Sequence, residues 1–238
     1  MNDTLVIIPT FNEKDNIENI IRATFSQEKV FDILIVDDNS PDGTAKIVAE
    51  LQKEFQTNLF IVNRKEKKGL GAAYINGFRW ALEKKYGYII EMDADFSHNP
   101  KDLIRLYKAC KNGADVSIGS RYINGKINVV NWDFKRIALS VMASKYVRFI
   151  TRIPIHDTTA GFVCYKRKVL EKIDLDSIKF VGYAFQIEMK FKAWKHKFNL
   201  KEIEVIFTDR IAGKSKMSGS IISEAVFGVI KMKLKGIK

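Results

Sequence analysis

The chain has 238 residues, 46% hydrophobic and 29% charged, with four prolines, a composition that supplies a full core and excludes a disordered or low-complexity chain. Its net charge of +12 is uneven: residues 1–120 hold 16 Lys and Arg against 18 Asp and Glu, and residues 121–238 hold 24 against 10. The two cysteines, Cys110 and Cys164, have neither CxxC spacing nor a histidine cluster, which argues against a thiolate metal site and for reduced structural thiols. In chain order, "TLVIIP" reads as a short buried strand. "NEKDNIENIIRATF" follows as a helix with Ile17, Ile20, Ile21 and Phe25 on one face. "DILIVDD" is a second strand, "SPDGTAKIVAELQKEF" a turn and helix, "NLFIVNR" a third strand and "LGAAYINGFRWALEKK" a third helix. "GYIIEMDAD", "KDLIRLYKAC" and "ADVSIGSRY" continue the alternation as strand, helix and strand.

Beyond residue 121 the pattern loosens. "DFKRIALSVMASKYVRFI" and "AFQIEMKFKAWKHK" read as helices, and "GFVCYKR" and "LKEIEVIF" as strands. Neither a linker nor an internal repeat separates the halves. The expectation is one domain over 1–238, with a first half (1–120) of nearly balanced charge and a basic second half (121–238) suited to an anionic partner such as a phosphate-bearing substrate or an acidic membrane face. Strict alternation of buried strands and helices predicts an α/β fold with a mainly parallel sheet flanked by helices. No run reaches the roughly 18 apolar residues of a membrane-spanning helix, and "MNDTLVIIPTF" lacks the basic start of a signal peptide.

Ligands of such sheets sit beyond the carboxyl ends of the strands. Asp37, Asp38, Asp93 and Asp95 all fall there, so they are expected to share one crevice. Asp93 and Asp95, with small Ala94 between them, can turn toward one hard cation. Two carboxylates, phosphate oxygens and water suit a divalent metal, Mg²⁺ or Mn²⁺. Asp38 is suited to accept hydrogen bonds from a base or ribose, Glu13 falls beside the same crevice, and Arg121 ends the fifth strand where a guanidinium can grip phosphate. In "KGLGAAY" the third position of a dinucleotide fingerprint is Tyr74, so the segment reads as a glycine loop over the crevice. Clustered acids, and the lack of any basic–aromatic module, argue against nucleic acid.

Together these stretches resemble the inverting glycosyltransferases of the GT-A fold, and specifically the dolichyl-phosphate (polyprenyl-phosphate) mannose synthases. The resemblance is carried by "PTFNE", "VDDNSPDGT", "KKGLGAAYINGF", "MDADFSHNP", "GSRY", "WDFKR", "DTTAGFVCYKR", "GYAFQIEM" and "DRIAGKSKM", in that family's order from Pro9 to Met217. It implies that Pro9, Phe11 and Glu13 border the nucleotide, with Val36 and Asp38 at the guanosine. It implies metal and diphosphate at Asp93, Ala94 and Asp95, with Ser97 completing the metal shell. Arg121, Arg210 and Lys216 would bind or close over the donor phosphates, and Arg136 and Ser140 would meet the lipid phosphate. Two positions depart from the pattern: Phe11 stands where the family commonly has Tyr, and Ser97 where some members have Gln.

The expected reaction is transfer of mannose from GDP-mannose to a dolichyl or polyprenyl phosphate, with Asp95, Arg121, Arg136 and Ser140 as the catalytic set. Arg136 and Ser140, four apart, share a helix face. A phosphate monoester is already anionic, so one in-line displacement without a strong base would invert the sugar. Glu188 is assigned to orienting the sugar or a basic side chain. The alternative is a polyprenyl-phosphate transferase using UDP-glucose or another donor. The expected location is cytoplasmic, peripheral on the cytoplasmic face of the membrane. In "SIISEAVFGVIKMKLKGIK", Ile221, Ile222, Ala225, Val226, Val229 and Ile230 can share a helix face ahead of Lys231, Lys233, Lys235 and Lys238, a pattern suited to interfacial binding. A membrane-embedded partner is the fallback.

Overall fold

The computed structural model describes residues 2–123, 125–180, 182, 184–209 and 228–234. The first half alternates as expected: β1 (Thr4–Thr10), α1 (Ile17–Phe25), β2 (Asp32–Asp37), α2 (Thr44–Glu54), β3 (Leu59–Asn63), α3 (Leu70–Glu83), β4 (Tyr88–Glu91), α4 (Leu103–Lys111) and β5 (Val116–Ser120). Three short strands follow, β6 (Tyr122–Ile123), β7 (Lys126–Ile127) and β8 (Val129–Val130), then the long helix α5 (Phe134–Thr151). The chain continues through β9 (Val163–Lys166), α6 (Arg167–Lys172), α7 (Ala184–Lys195), β10 (Leu200–Glu204) and β11 (Phe207–Thr208).

Seven strands form one sheet in the order β10-β5-β9-β4-β1-β2-β3, parallel except β9, which runs antiparallel to both of its neighbours. Side chains alternate across a strand, so β1 feeds two cores. Leu5 and Ile7 pack in the layer with α3, α6 and α7, whereas Val6 and Ile8 pack in the layer with α1, α2 and α4. Burial on both faces explains why the strands read as continuous apolar runs. The helices follow the same logic: α1 buries Ile17, Ile20, Ile21 and Thr24, one face at 3.6-residue spacing. Gly77 of α3 permits close contact with the sheet, because a β-carbon there would stand 2.7 Å from Ile7 Cγ2.

From β1 the chain winds one way through β2 and β3, then returns to place β4 on the other side of β1. The crevice where winding reverses, between the carboxyl ends of β1 and β4, is where such sheets bind ligands. Because β9 is reversed, its first residue, Val163, pairs with the last residue of β4, Glu91. The segment leading into β9 therefore arrives at the same edge. Among the described residues no helix is long and apolar enough to cross a membrane.

Candidate active site

Two loops at this edge are tied together by main-chain donors. Asn12 N–H donates to Ser40 Oγ, Glu13 N–H to Thr44 Oγ1 and Lys14 N–H to Asp42 Oδ2, all at 3.0–3.1 Å. Asn12 and Asn39 take left-handed backbone angles just after β1 and β2, a conformation asparagine tolerates better than most residues. Glu13 accepts from the Asn16 amide at 3.0 Å. Phe11 lies under Lys67, whose Nζ is 4.1 Å from the ring centroid.

The four acids do not all face the crevice. Asp37 is buried and accepts from Thr10 Oγ1, Ser40 N–H and Ser40 Oγ at 2.6–2.8 Å; its carboxylate closes the β2 loop. Asp38 instead pairs with Arg64 Nη1 at 2.7 Å. Burial raises its carboxyl above the usual range, and the charge of Arg64 offsets only part of that. Val36 and Ala94 put their side chains into the two cores, so neither presents a side chain to a nucleotide. Pro9, paired with Val36, is half-buried at the end of β1.

Beyond β4 the chain makes a tight loop. Ser97 N–H donates to Asp95 Oδ1 at 3.1 Å, and Asp93 N–H donates to His98 Nδ1 at 3.0 Å. Between them Phe96 has φ 61°, a left-handed angle that costs a bulky residue roughly 1 kcal/mol or more. The loop holds it because Phe96 also packs on the core. Asp95 is buried, whereas the Asp93 side chain is 37% exposed. Asp93 Oδ1 lies 3.4 Å from Tyr74 Oη, and Oδ2 lies 3.9 Å from His98 Nε2. Burial lowers the pKa of His98, against the pull of Asp93 and Asp95, so its ring is neutral. With Nδ1 accepting, the ring proton sits on Nε2, facing Asp93. Ser97 Oγ is buried without a hydrogen-bond partner among the described residues.

Behind this loop lies a buried polar layer. Lys190 Nζ donates to Ala160 O at 2.6 Å and lies 3.5 Å from Gln186 Oε1. Burial pushes its pKa down to about 8 and pushes that of Glu91 up to about 8.

Arg121, expected to face phosphate, is held from within the protein. Its Nε and Nη2 each lie 2.7 Å from an Asp157 carboxylate oxygen, and its main-chain N–H donates to the same group at 3.0 Å. Nη2 also donates to Thr159 at 2.8 Å. Burial alone would raise Asp157, but the charge and hydrogen bonds of Arg121 outweigh it and hold the carboxyl below its usual range.

An aromatic wall links the two ends of the site. His98 stacks on Phe162 at 4.7 Å and meets Phe207 edge-on at 5.7 Å, and Phe207 meets Trp132 edge-on at 5.4 Å. The parallel pairing of β8 and β11 brings Phe207 beside Val129. Trp132 lies under two guanidiniums, Arg121 at 5.5 Å and Arg136 at 4.0 Å. Arg136 also pairs with Asp209 at 2.7 Å. The capping side chain of Asp133 starts α5 here by accepting from Arg136 N–H at 2.9 Å. Ser140 is one turn further along, beside the Tyr122 phenol. Arg210 and Lys216 lie outside the described residues.

Residues 5–174 match the model of the family described as glycosyl transferase family 2. The chain belongs to this family. It is 46% identical over 98% of its length to a polyprenol monophosphomannose synthase of Mycolicibacterium smegmatis, of which it spans 88%. It is 40% identical over 95% of its length to an undecaprenyl-phosphate mannosyltransferase of Micrococcus luteus, spanning 92% of it. Solved structures share the fold at low identity. A Pyrobaculum calidifontis mannosyltransferase, in complex with GDP-mannose and Mn²⁺, matches with TM-score 0.61 at 20% identity, over 90% of this chain and 58% of that one. A Mycobacterium tuberculosis glucosyl-3-phosphoglycerate synthase, with Mn²⁺ and UDP, matches with TM-score 0.66 at 14% identity, over 99% of this chain and 81% of that one. It is thus a family 2 glycosyltransferase of GT-A fold.

Sequence reasoning gave His98, Asp157, Trp132 and Phe207 no role. His98 stands three residues after Asp95 and Asp157 opens "DTTAG", but no local pattern says what either one bonds. Glu188 lies beside a basic side chain, one of its two expected settings. Its Oε2 accepts from Lys179 and Phe180 N–H at 3.0 and 3.2 Å, and its Oε1 lies 3.5 Å from Lys192.

Proposed function

We propose that the protein transfers mannose from GDP-mannose to a polyprenyl phosphate with inversion, yielding a polyprenyl-phosphate β-mannose. The carrying observation is the match, along nearly the whole chain, to two mannosyltransferases of polyprenyl phosphates. In this reading Phe11 and Asp38 border the base and Asp93 and Asp95 face the diphosphate. The donor set fits a divalent cation: hard carboxylate oxygens, one of them half-exposed, with the unpartnered Ser97 hydroxyl beside them. Bound there, Mg²⁺ or Mn²⁺ would neutralise charge on the departing diphosphate.

The chain's own residues do the rest. Neutral His98 orients Asp93 through the main chain without adding charge. Asp157 fixes buried Arg121 beside Trp132, so the guanidinium, held in a bidentate pair, shapes the wall next to the diphosphate. Arg136, stacked on the same ring, and Ser140 receive the acceptor phosphate, whose oxygen attacks the anomeric carbon from the side opposite the leaving group. The acceptor needs no general base because it is ionised already.

The acceptor's tail belongs in a membrane, and α5 suits that surface. It buries only Ser144, Val147 and Thr151, while Phe134, Leu139, Met142 and Phe149 are 82%, 45%, 66% and 69% exposed. An outward apolar face with Lys135 and Lys145 on it fits shallow interfacial contact, so the enzyme is read as peripheral at the cytoplasmic face. The C-terminal face expected to do this lies mostly outside the described residues; of its two described members, Val229 packs with Val147, Ile187 and Phe191, and Ile230 is 40% exposed. Turnover of a panel of sugar nucleotides with a short polyprenyl phosphate tests the reading. GDP-mannose should be used at least tenfold better in kcat/KM than any other donor, and equal use of UDP-glucose would overturn it.

A further inference from the structure

We propose that the groove at the C-terminal end of α5 binds the phosphate headgroup of an anionic phospholipid, as a site separate from that of the acceptor phosphate. The groove is shallow and open to solvent, about 380 Å³, and is lined by Lys145, Arg148, Phe149, Arg152, Ile153 and Pro154. Three cations stand there, and among the described residues none of them is in an ion pair. Other arginines of the surface have carboxylates at hand: Arg22 has Glu18 and Glu54, Arg167 has Glu171 and Arg105 has Asp102. Unopposed cations in a concave site concentrate positive potential.

The site is built rather than incidental. Arg152 ends α5 with a left-handed backbone angle, φ 64°, while its N–H donates to Arg148 O at 2.8 Å, which keeps the two residues together. Its guanidinium lies 5.3 Å from the Phe149 ring. Buried Ile153 anchors the floor in the main core. Guanidiniums bind phosphate oxygens in pairs, which matches a phosphodiester headgroup.

Phe149 decides between a soluble anion and a lipid. It belongs both to the groove and to the outward apolar face of α5, so a phosphate held there has an apolar strip beside it for acyl chains. Arg148 is 12 residues beyond Arg136, about 18 Å along the helix. A headgroup at one end would seat α5 on the bilayer and set the other end, with Arg136 and Ser140, over the acceptor. The inference rests on the reading that the enzyme works at a membrane surface, but not on which sugar it transfers.

The test is sedimentation of the full chain with phosphatidylcholine vesicles, with and without phosphatidylglycerol. The K145Q/R148Q/R152Q variant should lose at least about tenfold in affinity for the anionic vesicles. The variant K101Q/K108Q/K111Q, which removes equal charge near and along α4 on the other layer, should lose less than about threefold. Equal losses would mean that net charge alone is responsible and would overturn the site. Glycerol phosphate binding in solution as tightly as the vesicles would also overturn it, in favour of a soluble anion. Circular dichroism checks that each variant is folded. Should the triple variant fail that check, K145E, a change at an exposed position, must by itself weaken anionic-vesicle binding at least threefold. Failure of the sugar-transfer reading would appear in the donor panel and leave these vesicle results unchanged.

Discussion

The proposed donor and acceptor sides of this enzyme are built from different materials. On the donor side, carboxylates project from loops at the ends of parallel strands, and main-chain hydrogen bonds fix them within a few residues of where the strand stops. On the proposed acceptor side, Arg136 rests on the Trp132 ring near the start of α5, outside the main sheet. A rigid edge can define a metal and diphosphate geometry closely. A helix lying half out of the protein can meet a substrate that arrives from a bilayer. The lesson lies in the helix: α5 carries Lys135, Arg136, Lys145 and Arg148 and no acidic residue between Phe134 and Thr151.

Substitutions at four positions sharpen or break that contrast. The largest effect is expected from Asp95→Asn, which keeps shape and removes charge: turnover should fall about a hundred- to a thousandfold, with metal titration of the variant showing weakened dependence. Normal turnover would put the donor geometry elsewhere. Asp157→Ala should cost about 3–5 kcal/mol in urea unfolding, because it leaves Arg121 buried without its partner. Asp157 also sets a pH signature. Its folded pKa lies below the unfolded value of about 3.9, so its contribution is complete above that value and is lost as pH falls through the folded pKa. Unfolding midpoints below about pH 4 should therefore decline less steeply in Asp157→Asn than in the parent. Arg136→Ala should raise the KM for lipid phosphate about tenfold while GDP affinity, by calorimetry, changes less than twofold; equal losses would merge the two sides. The smallest effect is expected from Phe11→Tyr, which adds a hydroxyl to a ring already packed under Lys67, and GDP affinity should change by less than about threefold.

The sheet is legible because burial on both faces leaves unbroken apolar runs, while each helix keeps its 3.6-residue stripe. The reversal of β9 is not, since "GFVCYKR" reads the same in either direction. The crevice acids are legible by position at strand ends, yet Asp37 and Asp38, adjacent in sequence, take opposite fates: alternation turns one inward and one outward. Arg121 reads as a free guanidinium because its partner is 36 residues away. The aromatic wall is invisible for the same reason, its members being scattered from His98 to Phe207.

The reversed strand has a practical consequence. With β9 entering from the crowded edge, the opposite edge keeps short exposed turns, such as Gln56–Thr57 between α2 and β3. A fluorophore or affinity tag inserted there would stand about the length of a strand, ~17 Å or more, from the chemistry, on backbone that tolerates insertion. The molecule thus offers a handle by which it can be immobilised or tracked on a bilayer with its reacting edge free.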